Sequence, residues 1–306
     1  MLFDSPVEKH YTRKDLYNTI INKLQELGIT AATRKDIAGV DEFHVRGATV
    51  SIELAKEAGF NKKTKVLDIG CGLGGPCRMI ADEYGCDVTG IDITEEFIQT
   101  ARRLTALVKL DDKVNFLKAD ALQLPFDDES FDITWTQHVQ MNIEDKHTFY
   151  AEMNRVLKPG GKFIYYDVFS KNKEPLHYPV PWADEASISF LITVNELDEL
   201  LQGLGLNKIQ TKDQTPAGVE FFEILSDKMA KGEVPTIGLP MLIGVTSKQK
   251  FENLYRNFKE GKLEIQSDLS KKLNNVSCVY KLKLLKAICF YLFWLLPKQY
   301  FKSYNA

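Results

Sequence analysis

Apolar residues recur along this chain at two different spacings. Leu16, Ile20, Ile21, Leu24 and Leu27 repeat at helical spacing and predict a helix that Gly28 stops. Gly47 to Ala58 reads as a second helix, closed by Gly59. From Lys65 the pattern changes to short apolar runs bounded by glycine or polar residues, the mark of buried strands. Lys65 to Ile69, Val88 to Ile91, Val114 to Leu117, Phe131 to Thr136 and Lys162 to Phe169 are five such runs. Between them lie helical segments: one marked by Met79, Ile80 and Tyr84 with Gly85 at its end, one opened by Thr94 with Glu95 and Glu96 in its first turn, and one completed by Tyr150 to Leu157. Lys158 to Gly161 reads as a turn. Thr193 and Glu196 form a capping box that opens a helix running to Leu204. Lys208 to Lys212 predicts a sixth strand and Leu263 to Gln266 a last, antiparallel one. Pro216 to Lys231 and Ser247 to Glu260 read as inserted helices. Strands alternating with helices predict an α/β fold, a doubly wound, seven-stranded, mostly parallel sheet. An N-terminal helical cap and C-terminal helical additions complete it.

The same pattern divides the chain. Residues 1–60 form the cap, and residues 61–267 the sheet domain, with lid or insert segments at 170–190 and 214–260. Residues 268–306 form a basic, apolar helical extension. There LLKAICFYLFWLL (Leu284 to Leu296) is ringed by lysines with no acid after Asp268. It is too short to span a bilayer, which takes about 20 residues. Two readings stay open: a core or dimer helix, and an interfacial helix touching a membrane surface through residues 281–302.

Chemistry enters at Gly70 to Gly75, where strand, glycine turn, helix, strand and acid form a mononucleotide-binding βαβ unit. Glycine lets the backbone come close to a ligand. Asp92 lies 92 − 70 = 22 residues after the first glycine, where it can accept hydrogen bonds from two ribose hydroxyls. Asp68 stands just before the turn. Its carboxylate would repel a pyrophosphate and attract a cation. The alternatives are a phosphate-binding turn and a plain α/β turn; a nucleoside carrying positive charge and no phosphate fits both acids. S-adenosylmethionine is such a compound. VLDIGCGLGG followed by VTGIDI resembles the first two motifs of the class I S-adenosylmethionine-dependent methyltransferases, with their Rossmann-like fold.

WTQHVQMNIEDK (Trp135 to Lys146) and YDVFSKNKEPLHYPVPWA (Tyr166 to Ala183) resemble, in particular, the sarcosine/dimethylglycine N-methyltransferase group, over roughly Asp41 to Gln266. The resemblance implies a cofactor site of Asp68, Gly70, Gly72, Gly74, Asp92, Ile93, Asp120, Ala121 and Gln137. It places His138 and Tyr178 as candidate catalytic residues and Arg46, Tyr166, His177 and Trp182 as candidate acceptor contacts. Phe43 and His44 join Arg46 in FHVRG as candidate walls of the transfer chamber. Phe190 joins the aromatic residues near the methyl group. Arg46 would pair with an acceptor carboxylate.

Three functions follow. The first is N-methylation of a glycine-derived amine such as sarcosine or dimethylglycine. The second is C- or O-methylation of an apolar acceptor such as a quinone, sterol, terpenoid or polyketide, because DIGCGLGGP also resembles sterol and tocopherol methyltransferases. The third is a non-catalytic cofactor-binding module. Composition narrows the partners. A net charge of −3 over 306 residues gives no pull toward nucleic acid. Five cysteines form no C-x-x-C pair, and no His/Asp/Glu constellation has ligand spacing, so neither a disulfide framework nor a metal is expected. The N-terminus lacks the pattern of a secretory signal. The expected setting is cytoplasmic, with peripheral contact at the inner face of a membrane and a homodimer as further candidates.

Overall fold

The computed structural model describes residues 5–233, 237–238, 240–244 and 246–274. Four helices come first: α1 (Pro6–Tyr11), α2 (Leu16–Glu26), α3 (Arg34–Asp41) and α4 (Ala48–Ala58). Then come β1 (Lys65–Ile69), α5 (Gly75–Tyr84), β2 (Asp87–Asp92), α6 (Glu95–Leu107), β3 (Val114–Lys118), β4 (Phe131–Gln137), α7 (Lys146–Val156) and β5 (Leu157–Ser170). The chain closes with α8 (Val194–Gly203), β6 (Leu206–Asp213), α9 (Thr215–Ala230), α10 (Pro240–Ile243), α11 (Ser247–Lys259) and β7 (Leu263–Lys272). One seven-stranded sheet runs in the order β3-β2-β1-β4-β5-β7-β6. Its first five strands are parallel, and β7 is antiparallel to both neighbours.

Side chains alternate across the sheet, as the two-residue period requires. Ile164, Tyr166 and Val168 of β5 join a core under α4, α5, α9 and α11. Phe163, Tyr165 and Phe169 join the opposite core under α7 and α8. A third cluster ties the cap to the sheet domain, with Leu16, Ile20, Leu24, Ile37 and Val40 packed on Phe97 and Leu104 of α6.

Four elements differ from expectation. Helices α1 and α3 are additional: α1 is six residues long, and α3 carries few apolar residues and an internal Gly39. The Lys158 to Gly161 segment is not a separate turn. Leu157 pairs with Phe131 and Lys162 with Ile133, so the segment bulges within β5, with Gly160 at φ 75°. The last strand, expected to stop at Gln266, runs on to Lys272, which places Asp268 in the sheet rather than in a tail. The described residues up to Lys272 form one compact unit. The segment 281–302, expected to contact a membrane, lies outside the described residues. Among the described residues no helix is long and apolar enough to cross a membrane, and no group of acids, histidines or cysteines could hold a metal.

Candidate active site

Strand order reverses between β1 and β4, and at that point the carboxyl ends of the strands leave a crevice. It forms a cleft of about 530 Å³. The turn after β1 makes its floor. Gly70 N–H and Cys71 N–H both donate to the Ile91 carbonyl, at 2.8 and 2.9 Å. Gly70 has φ +74°, and a Cβ there would stand 2.3 Å from Val139. Gly72 has φ +53°, and a Cβ there would point into open space, so the cleft comes against bare backbone. Gly74 does not line the cleft; it makes room for Phe116, 2.3 Å from where its Cβ would lie.

Asp92 closes the end of β2. Its carboxylate accepts from Gly72 N–H at 3.1 Å and Thr94 N–H at 2.8 Å, and lone pairs remain free for a ligand's hydroxyls. Asp68 lies buried in the same wall and accepts from the Cys77 thiol at 3.1 Å. Burial first, and the charge of Asp92 second, push its carboxyl up to about 7. A cationic ligand must therefore displace a proton below that pH and meets a carboxylate above it. S-adenosylmethionine affinity is expected to rise as pH goes from 6 to 8, by up to about tenfold per unit for one linked proton. Calorimetry in buffers of different ionisation heat reads the released proton; a flat affinity with no proton release contradicts it. Asp120, whose carboxylate accepts from Leu122 N–H at 2.8 Å, lines the cleft after β3 with Ala121, Ile93 follows β2, and Gln137 borders the cleft from the end of β4.

A second cavity of about 50 Å³ shares Tyr11, Phe43, His44 and His138 with the cleft. Its other walls are Val45, Met141, Pro181, Trp182, Phe221, Phe222, Phe251 and Leu254. His138 stands between the two spaces. Its backbone is left-handed, φ 52°, an uncommon conformation for a side-chain-bearing residue. It is held there from β5: His138 N–H donates to the Tyr166 carbonyl at 2.9 Å, and Asp167 accepts from Val139 N–H at 3.1 Å and Gln140 N–H at 3.2 Å. The imidazole stacks on Tyr166, with ring centres 5.0 Å apart, and meets His44 edge-on at 6.0 Å. Burial, then the neighbouring His44, hold the His138 imidazolium well below the usual range, so the ring is neutral.

Behind His44 lies a buried polar group. His44 Nε2 is 3.0 Å from Ser51 Oγ and 3.2 Å from Glu42 Oε2, and the Ser51 hydroxyl donates to Glu42 at 2.9 Å. Burial pushes Glu42 up to about 8 and His44 down to about 3, so both are neutral near pH 7. The cap closes over this site. Tyr11 donates to Asn142 Oδ1 at 2.9 Å, and Asn142 Nδ2 donates to the Trp182 and Ile188 carbonyls at 2.9 and 2.8 Å.

The expected acceptor residues divide. His138 and Trp182 line the site, as do Phe43 and His44. Arg46, His177 and Tyr178 line neither cavity. The Arg46 guanidinium is engaged by both oxygens of Glu53, at 3.0 and 2.7 Å, and by Gln214 at 2.8 Å. His177 is drawn to the end of α11 by Glu260, at 2.6 Å, and Lys262, at 3.1 Å. Tyr178 packs on the core under α9 and α11. Tyr166 and Phe190 also stand back from both spaces; Tyr166 supports His138 from behind and donates to the Val45 carbonyl at 3.1 Å. Among the residues lining the second cavity, Tyr11, Phe221, Phe222, Phe251 and Leu254 came unforeseen. For Phe221, Phe222 and Phe251 the clustering of aromatic residues in α9 and α11 was the available signal.

Comparison with known proteins agrees with this geometry. A family profile described as a methyltransferase domain matches residues 67–165. Over 114 residues the chain is 38% identical to the sterol 24-C-methyltransferase of Debaryomyces hansenii, covering 37% of this chain and 30% of that one. The chain spans less than two thirds of the length of the first curated relatives it matches. Geranyl diphosphate C-methyltransferase from Streptomyces coelicolor superposes with a TM-score of 0.59 at 17% identity, covering 89% of this chain and 87% of that one. A structure titled as a putative sarcosine dimethylglycine methyltransferase, from Galdieria sulphuraria, superposes with a TM-score of 0.63 at 16% identity, covering 85% and 100%. The chain thus carries a methyltransferase domain over residues 67–165 and has the fold of the class I S-adenosylmethionine-dependent methyltransferases.

Proposed function

We propose that this protein transfers the methyl group of S-adenosylmethionine to the carbon or oxygen of an apolar small molecule. The observation that carries the reading is the lining of the second cavity, which is aromatic and aliphatic apart from Tyr11 and two neutral histidines. Among the described residues it offers no cation to an acceptor carboxylate, and Arg46 is held by Glu53. That disfavours the glycine-derived amines expected first. The relatives named for sterol and geranyl diphosphate C-methylation support the same choice.

The cleft fits the methyl donor, because bare backbone at Gly72 meets open space beside the buried Asp68 and the half-buried Asp92. Asp92 would hold the ribose hydroxyls, Asp120 with the Ala121 N–H the adenine, and Asp68 the positive charge. When bound, the donor supplies an electrophilic methyl carbon. The chain's own residues then align the acceptor and keep water out, which is most of the task in an in-line displacement.

Incubation with methyl-labelled S-adenosylmethionine and a panel of phenols, prenyl compounds, sterols, sarcosine and dimethylglycine tests the reading. Label is expected in the organic extract. Label confined to sarcosine or dimethylglycine would contradict it. A Phe251→Gln variant, with an amide in the apolar wall, is expected to raise KM for the accepted apolar compound about tenfold, while leaving cofactor affinity near that of the parent. An unchanged KM would remove Phe251 from the acceptor site.

A further inference from the structure

The second cavity adjoins the cofactor cleft across Tyr11, Phe43, His44 and His138, which border both. Its volume, about 50 Å³, is the space open to the centres of water molecules. At about 10–15 Å³ of such space per water it holds roughly three to five waters, or about 100–150 Å³ of molecule. A benzene ring occupies a cavity of about 150 Å³, so a second fused ring overfills this one.

The walls that the cavity does not share with the cleft are held from behind. Phe222 of α9 is buried, with ring centres 5.5 Å from Phe221, 5.9 Å from Tyr255 and 6.0 Å from Phe258. Leu254 of α11 is buried in the same core. Helix α9 is already seated on the sheet. Gly218 lies one turn before Phe222, and a Cβ there would stand 2.6 Å from Ile265 of β7. The helix therefore has no room to withdraw toward the strand. Trp182 is fixed at both ends: its indole N–H donates to Ser189 Oγ at 2.9 Å and its carbonyl accepts from Asn142 at 2.9 Å. A wall packed in this way resists an oversized guest, because making room forces side chains off their rotamers.

We infer that the acceptor of the proposed reaction presents to the methyl donor an apolar group no larger than about one six-membered ring, and that Phe222 and Leu254 set this limit. The inference rests on the apolar-acceptor reading and narrows it. A single-ring phenol or quinone fits whole. A prenyl chain offers its branched end. A sterol enters by its side chain and not by its fused rings.

Area and fit make opposite predictions, which gives the test its sign. Naphthalene buries more apolar surface than toluene, so hydrophobicity alone makes it the tighter ligand. A closed wall reverses the order. The two hydrocarbons are titrated by NMR into the full-length protein saturated with S-adenosylhomocysteine, and the methyl resonance of Met141, in the cavity wall, reports entry. Toluene is expected to bind about tenfold more tightly than naphthalene. Leu254→Ala and Phe222→Leu, each verified as folded by thermal unfolding, are expected to raise naphthalene affinity about tenfold while toluene affinity stays within about threefold of the parent's. Naphthalene binding as tightly as toluene in the parent protein, a comparison that needs no variant, overturns the size limit and leaves the apolar reading intact. Naphthalene affinity unchanged in both folded variants overturns the assignment of that limit to Phe222 and Leu254. Binding of neither hydrocarbon overturns the inference, and label on sarcosine alone in the transfer assay overturns the apolar reading with it.

Discussion

An Asp41→Ala variant is expected to lose about 3–5 kcal/mol of stability, the cost of breaking a buried ion pair from one side. Arg78 is fully buried in α5, and its Nη2 meets Asp41 Oδ1 at 2.5 Å. The same guanidinium donates to the Leu73 carbonyl at 2.7 Å and to Thr105 Oγ1 at 2.8 Å. Asp41 ends α3 of the cap, so this one pair fastens the cap to the first helix of the nucleoside-binding unit and to α6. Gly75 lets the two come together: a Cβ there would stand 2.1 Å from the Asp41 carbonyl oxygen. Without the carboxylate, Arg78 keeps its charge in a place water does not reach. Removing both partners together, as Asp41→Leu with Arg78→Met, is expected to recover most of the loss, because no lone charge is left behind. Urea unfolding of the three proteins checks this. An Asp41→Ala midpoint equal to the parent's would mean that the pair is not what joins cap and core.

Asp92→Ala is expected to weaken S-adenosylmethionine binding by about 1.5–3 kcal/mol, or roughly 10–150-fold, through loss of charged hydrogen bonds to the ribose. The effect has two parts. The carboxylate itself is lost, and so is its grip on Gly72 N–H and Thr94 N–H, which sets the shape of the turn. Asp92→Asn separates them, because the amide oxygen can still accept while the charge is gone. An affinity for Asp92→Asn between those of the parent and Asp92→Ala is the expected order. Equal affinity in all three would take Asp92 out of the cofactor site.

The cleft proposed for the methyl donor was legible because its signals are local. A glycine turn between two apolar runs and an acid at the end of the second are read directly from Lys65 to Asp92, and the chain folds there as written. Asp120 and Gln137 are legible for the same reason, as strand-end residues. The second cavity, proposed for the acceptor, is assembled by tertiary packing. Tyr11 comes from a six-residue helix with too little pattern to announce itself. Phe222 and Phe251 are 29 positions apart in helices whose facing could not be read before their packing on β7 and β5 was known. The positions of Arg46 and His177 away from both cavities were not legible, because a charge in a motif says nothing of its partner: Arg46 pairs with Glu53 and His177 with Glu260. Asp167 gave no sign of its task, since its three acceptor contacts are to backbone of Val139, Gln140 and Val168. The extent of β7 was underread because its last residues, Ser267 to Lys272, are polar or basic apart from Leu269, yet β5 and β6 flank it on both sides.

A preference of the cleft for a positively charged nucleoside over a phosphorylated one underlies every role proposed for its residues. Calorimetric titration of the full-length protein with S-adenosylmethionine and, separately, with NAD puts this to the test most directly. Saturable binding of the sulfonium compound, tighter at pH 8 than at pH 6, with no measurable heat from NAD, is the predicted result; tight NAD binding and none of the sulfonium compound would contradict it.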